Sequence, residues 1–231
     1  MLNTAVAWIL GLMVQAAPPA KLAAAYQLPG YEETVEEKQV RYESFASDLY
    51  EVVYDPSVKP LFGGKKGRAM TAATILGVAF HESGFAHDVD KGPCYRGRNG
   101  RDVRCDGGMS ACPMQIQLGA GTTLRGAHGV DGLTQADLFR DRKLCFRVGL
   151  HLLRRSVMSC TKRGPNERLN AYASGRCDQG ADRSKEILNI VRRFLANKEA
   201  VPADAIVPLA ATPASAAAAP VGPLSLLDPA R

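Results

Sequence analysis

From Thr34 to Asp55 the chain reads TVEEKQVRYESFASDLYEVVYD, and its apolar side chains Tyr42, Phe45, Leu49, Val52 and Val53 recur at spacings of three and four. That period predicts a helix with one buried face. Pro56 and the following KPLFGGKKG end it, because Pro and Gly punctuate regular structure. A second helix is expected from about Arg68 to His81, with Ala73, Leu76, Gly77 and Phe80 on one stripe. A third is expected from Arg140 to Ser159, turning Leu144, Val148, His151 and Leu152 inward. Asn166 is expected to cap a short helix through Leu169 to Tyr172. The last pattern, RSKEILNIVRRFLANK, sets Ile187, Ile190, Val191, Phe194 and Leu195 on one amphipathic face. From Asp88 to Gly108 Gly and Arg dominate and no period survives, so a small hairpin within 93–108 is the one strand expected. The fold class predicted is mainly α, a single domain over residues 31–200.

Both ends depart from that pattern. Ala5 to Val14, AVAWILGLMV, is an apolar run of signal-peptide length, followed by the small residues of QAAPPA. It is too short to span a bilayer. MLNT supplies no Lys or Arg for a positive leading region. Residues 1–25 are therefore read either as a signal peptide or anchor, or as a helix that packs on the domain. Residues 201–231 are rich in Ala and Pro, with Asp204, Asp228 and Arg231 as their charges, and read as a flexible tail.

Composition adds two constraints. The 231 residues are 46% apolar, enough for one sizeable core. The net charge of +6 favours an anionic partner without choosing one, and no Lys/Arg block marks a nucleic-acid arm. The six cysteines, Cys94, Cys105, Cys112, Cys145, Cys160 and Cys177, contain no C-x-x-C. An even number at wide spacing fits disulfides formed in an oxidising compartment better than a zinc site. The pairing expected is Cys94–Cys105, Cys112–Cys145 and Cys160–Cys177.

The candidate chemistry begins at ILGVAFHESGFAHDV, where an apolar helix breaks off at Glu82. A zincin needs H-E-x-x-H, and the position of the second His is taken by Phe85. His81, His87, Asp88 and Asp90 match no standard ligand spacing, so no metal is expected. Ser83 lacks the G-x-S-x-G context of a nucleophile elbow. A general acid fits better, since partial burial at a helix end favours the protonated carboxyl that such a role needs. A surface glutamate with a local hydrogen bond is the plain alternative.

Two later segments bear on that choice: SACPMQIQLG at Ser110 to Gly119, and LNAYASG at Leu169 to Gly175. Together with Glu82-Ser83 they resemble, in order, the motifs of the lysozyme-like domain of soluble lytic transglycosylases and goose-type lysozymes. That family has a helix ending in Glu-Ser, a Gly-Leu-Met-Gln-Ile loop and an Ala-Tyr-Asn-Ala-Gly segment. The resemblance covers residues 68–178. Cys112-Pro113 stands where the family has Gly-Leu, and Ala173 stands where it has Asn. The Arg-rich stretch DKGPCYRGRNGRDVRCDGG reads as an insertion pinned by disulfides.

The resemblance implies a lysozyme-like fold and cleavage of peptidoglycan glycan strands between N-acetylmuramic acid and N-acetylglucosamine, without a cofactor. It implies Glu82 as catalytic acid and then base, with Tyr172 holding the carboxyl. Gln115 and the Met114 backbone would line the sugar cleft, with Ser83 beside the substrate or supporting the loop. A route giving 1,6-anhydro ends, with Glu82 alone, is favoured over hydrolysis. Hydrolysis would draw its second carboxylate from Asp88, Asp90, Asp102 or Asp106. Two other readings stand beside it: a wall-binding protein without turnover, and a phage or virion-associated lysin. The expectation is an exported monomer that binds the cell wall, with no nucleic acid and no stable protein partner.

Overall fold

The computed structural model describes residues 3–20, 32–92, 105, 109–117, 132–197 and 200–203. Helix α1 (Thr4–Ala16) is capped by Asn3, whose side chain accepts from the Ala5 amide at 2.8 Å and donates to the Tyr50 hydroxyl at 3.0 Å. Helix α2 (Val35–Val53) opens on a capping box, in which Thr34 and Glu37 satisfy each other's amides. Its expected face is buried from Tyr42 through Val53. Helix α3 (Gly67–Ser83) runs through the centre and packs against α1, α2 and the two long C-terminal helices. The stripe expected on it is in fact a nearly complete cylinder, buried without a break from Gly67 to Ala79 save Met70.

A helix buried all round must satisfy its polar residues internally. Thr71 and Thr74 donate back to the Gly67 and Met70 carbonyls at 2.7 and 2.8 Å. Arg68, also buried, donates to the Val53, Asp55 and Val58 carbonyls and so closes the C-terminal end of α2.

A short helix α4 (His87–Lys91) follows where no element was expected. The stretch 93–108, where a hairpin was expected, lies outside the described residues except for Cys105. Just beyond it strands β1 (Ser110–Ala111) and β2 (Ile116–Gln117) pair antiparallel, Ser110 with Gln117 and Ala111 with Ile116. The helix expected from Arg140 to Ser159 forms over Arg142–Ser159, and a shorter one that was not expected precedes it. Helix α5 (Gln135–Arg140) stops at Asp141, whose side chain then accepts from the Leu144 amide at 3.0 Å and starts α6 (Arg142–Ser159). Asn166 caps nothing: it lies in a 3-10 turn, Pro165–Glu167, and α7 (Asn170–Ser174) starts after Leu169 without a side-chain cap. Helix α8 (Ala181–Phe194) buries Ile187, Ile190, Val191 and Phe194 as expected. It approaches α3 at Gly77, where a Cβ would lie 2.7 Å from Val191 Cγ2.

The apolar run near the N-terminus forms α1, which packs on α2 and α3 with Ile9 and Met13 fully enclosed. No described helix is long and apolar enough to cross a membrane. Two disulfides are present as expected, Cys112–Cys145 and Cys160–Cys177. Cys105 is disulfide-bonded too, but its expected partner Cys94 lies outside the described residues, as do Asp102, Asp106 and most of the 93–108 stretch.

Asp88 and Asp90, at the start of the stretch where no period was expected, are buried on α4. Asp90 has no exposed side-chain surface and accepts two bonds from Arg142, both at 2.7 Å. Arg41 approaches the same carboxylate at 3.4 Å. Arg142 also pairs with Asp48 and donates to Ser44 at 3.1 Å, which ties α2, α4 and α6 together. Burial alone would push the Asp90 carboxyl up. The bonds and charge of Arg142, with Arg41 and Lys91, outweigh it and hold the group below the usual carboxylate range.

Replacing Arg142 by Met should cost about 3–5 kcal/mol of unfolding free energy, because it strands a buried charge; urea titration measures it. Asp90 releases its proton more readily folded than unfolded. Its contribution is therefore present above about pH 4 and lost as pH falls through the lower folded value. The urea midpoint should fall with acidification over that range, and fall less in an Asp90→Asn/Arg142→Met double variant.

Candidate functional site

Glu82 lies on the last turn of α3, half-buried. The next three residues fix the direction in which the chain leaves that turn. Gly84 takes the left-handed conformation at φ 59° and closes the helix by donating to the Phe80 carbonyl at 2.8 Å. Phe85 is also left-handed, at φ 55°, which is costly for a residue with a side chain. The cost is met by packing: its ring is fully buried against Tyr42, Phe45 and Phe80, with centroids 5.8, 5.4 and 5.5 Å away. Arg41 donates to the Phe85 carbonyl at 3.0 Å. Ser83 turns its hydroxyl back on the helix. It donates to the Ala79 carbonyl at 2.6 Å and accepts from the Phe85 amide at 3.3 Å. These bonds make Ser83 part of the turn's construction.

The hairpin approaches from the other side. Its loop, Cys112 to Gln115, has left-handed residues at both ends, φ 60° and 49°, and closes by a Gln115 amide bond to the Cys112 carbonyl at 2.9 Å. Two anchors hold it to α6. One is the Cys112–Cys145 bridge. The other is Met114, fully buried over Gly149, where a Cβ would stand 2.1 Å from the Met114 sulfur. Gln115, expected to line the sugar cleft, is half-buried and folds its amide onto the Cys112 carbonyl and Cys105 Sγ, each at 3.2 Å.

Tyr172 joins the two sides. Its hydroxyl donates to the Met114 carbonyl at 2.7 Å, and its amide donates to Ser156 Oγ at 3.0 Å. Burial and the neighbouring negative charge of Glu82 push the phenol well above its usual value, so it remains a proton donor. The Cys160–Cys177 bridge encloses the short helix that carries it, and Arg183 donates to the Ala173 carbonyl at 3.3 Å. The chain therefore gathers Glu82, Tyr172 and the Met114 carbonyl into one group from three separate segments. A carboxyl group beside a phenol that keeps its proton is an arrangement able to give and take a proton.

His81, one residue before Glu82, has its Nδ1 3.6 Å from Glu186, and burial holds its pKa below the usual value. Asp90 is committed to Arg142 and Arg41. Among the described residues no three His, Cys, Asp or Glu side chains gather as a cation site. Sequence reasoning missed Arg41, Gly149 and Ser156. Arg41, Ser44 and Asp48 do carry a signal, a polar row at helical spacing beside the apolar face of α2. Scans against protein-family models, curated proteins and solved structures find no match to the chain.

Removing the Tyr172 hydroxyl (Tyr172→Phe) deprives the Met114 carbonyl of its donor, a local cost of about 1–3 kcal/mol. Amide exchange over residues 110–117 should quicken while circular dichroism shows unchanged helicity. Gly149→Ala should displace Met114 and lower stability by about 1–3 kcal/mol, read from thermal unfolding.

Proposed function

We propose that this chain cleaves the β-1,4 bond between N-acetylmuramic acid and N-acetylglucosamine in peptidoglycan, on a lysozyme-like scaffold and without water. The reading rests above all on the convergence of Glu82, Tyr172 and the Met114 carbonyl, because the three motifs that resemble the transglycosylase family are distant in sequence. Protonated Glu82 gives its proton to the glycosidic oxygen, and the bond from that oxygen to C1 of the muramic acid breaks. The carboxylate left behind then takes the proton of the same sugar's C6 hydroxyl, whose oxygen closes on C1. The products are a 1,6-anhydro end and a free 4-hydroxyl, and Glu82 is protonated again.

One carboxyl group suffices for that cycle, whereas hydrolysis with the usual stereochemistry calls on two. Of the acidic residues proposed for the second role, Asp90 has its charge committed to two arginines, which favours the single-carboxyl route. Tyr172 steadies the site by holding the Met114 loop. The disulfides fit an exported protein acting on the wall.

Mass spectrometry of muropeptides released from purified peptidoglycan tests this. Wild type should release products ending in 1,6-anhydro-muramic acid, and Glu82→Gln should lower the rate by about 10²–10⁴-fold, the usual weight of a general acid. Free reducing ends instead would make the protein a hydrolytic muramidase. No release by either protein, with binding retained, would make it a wall-binding module.

A further inference from the structure

We propose that Arg41 is a positioning residue for Glu82, acting through the carbonyl of Phe85. This rests on the reading of Glu82 as the acid and concerns what holds it in place. Glu82 is three residues from a peptide group that α3 no longer holds, since the helix ends at Ser83 and Gly84 turns left-handed. The Phe85 carbonyl is the acceptor by which the turn is tied to a separate helix: Arg41 Nη2, from α2, donates to it at 3.0 Å.

Arg41 is itself fixed from two directions. Glu33 grips it through Nε at 2.5 Å and Nη2 at 2.8 Å, and Asp90 lies 3.4 Å from Nη1. Asp90 in turn is locked by the two bonds from Arg142. Arg41 is 6% exposed and has little freedom to swing away. A fork with donors pointing in several directions meets a carboxylate, a second carboxylate and a carbonyl at once, which a lysine ammonium cannot do from one rotamer. Phe85 also carries the left-handed strain at φ 55°, so the turn needs an external hold to keep its one conformation. A shift of about 1 Å at an acid's carboxyl is enough to cost on the order of 100-fold in rate.

A cavity of about 540 Å³ reaches this guanidinium, with Glu33, Val40, His87 and Lys91 also on its walls. It offers a route by which free guanidinium ion can occupy the space of a truncated side chain.

The test compares wild type, Arg41→Lys and Arg41→Ala in steady-state assays on purified glycan strands, below the thermal transition of each. The expected result is a fall in kcat of about 10- to 100-fold in both variants, with KM within about twofold of wild type. Millimolar guanidinium chloride should restore part of the Arg41→Ala rate, and equal sodium chloride should not. A residue that only stabilised the fold would show no such rescue below the thermal transition, where the variant is already folded and millimolar guanidinium is too dilute to denature it. Hydrogen exchange at Gly84 and Ala86 supplies a readout apart from activity, and both amides should exchange faster in the variants. Unchanged kcat, unchanged exchange, or a rate that tracks only the folded fraction would each overturn the proposal. If wild type itself releases no product, the reading of Glu82 fails first and takes this one with it. A failure confined to the Arg41 variants leaves that reading standing.

Discussion

A single carboxylate, that of Asp90, sets the terms for this fold. Taking a charge fully out of water costs several kcal/mol unless partners surround it. The chain meets that demand with two arginines from two different helices. Satisfying Asp90 therefore fixes α2 against α6 and holds α4 between them. Because α4 begins three residues beyond Gly84, the same requirement limits where the end of α3 can go. An ion network of this kind adds less to net stability than its bonds suggest, since apolar replacements can do as well. Its effect here is geometric: it admits few arrangements of the turn after Glu82.

The opposite half of the site is built on another principle. The hairpin has two residues per strand and α7 has five residues, and neither is stable alone. Each is attached by a disulfide to longer structure, Cys112 to α6 and Cys177 to its end at Cys160. Close packing supplements the bridges where Met114 fills the space left by Gly149. The Tyr172 bond to the Met114 carbonyl then joins two pieces that have already been placed. Salt bridges thus orient one wall, and covalent links the other.

Long helices were legible because a buried face repeats at a fixed period, as at Tyr42, Phe45 and Leu49 or at Ile187, Ile190 and Val191. The bridges at Cys112–Cys145 and Cys160–Cys177 were legible too. What escaped depends on partners distant in sequence. Asp90 lies in a stretch where no period survives, and nothing local announces that Arg142 will cover it. The short helix Gln135–Arg140 escaped because six residues hold too little period, and Asp141 ends it while capping the next. The bond that Gln115 makes to the Cys112 carbonyl depends on a left-handed backbone at φ 49°, which its sequence neighbours do not announce. Short elements such as α4 carry too few residues to show a period at all.

One consequence concerns the N-terminal helix. Its Ile9 and Met13 are completely enclosed by α2 and α3. The same apolar face cannot lie in lipid and in this core at once. Any state in which a bilayer surface holds α1 is therefore a state in which the domain is open, with Tyr50 parted from Asn3 and the flank of α3 wet. Closure of the domain and membrane attachment through that helix are mutually exclusive, and the balance between them is decided by which medium solvates thirteen residues better.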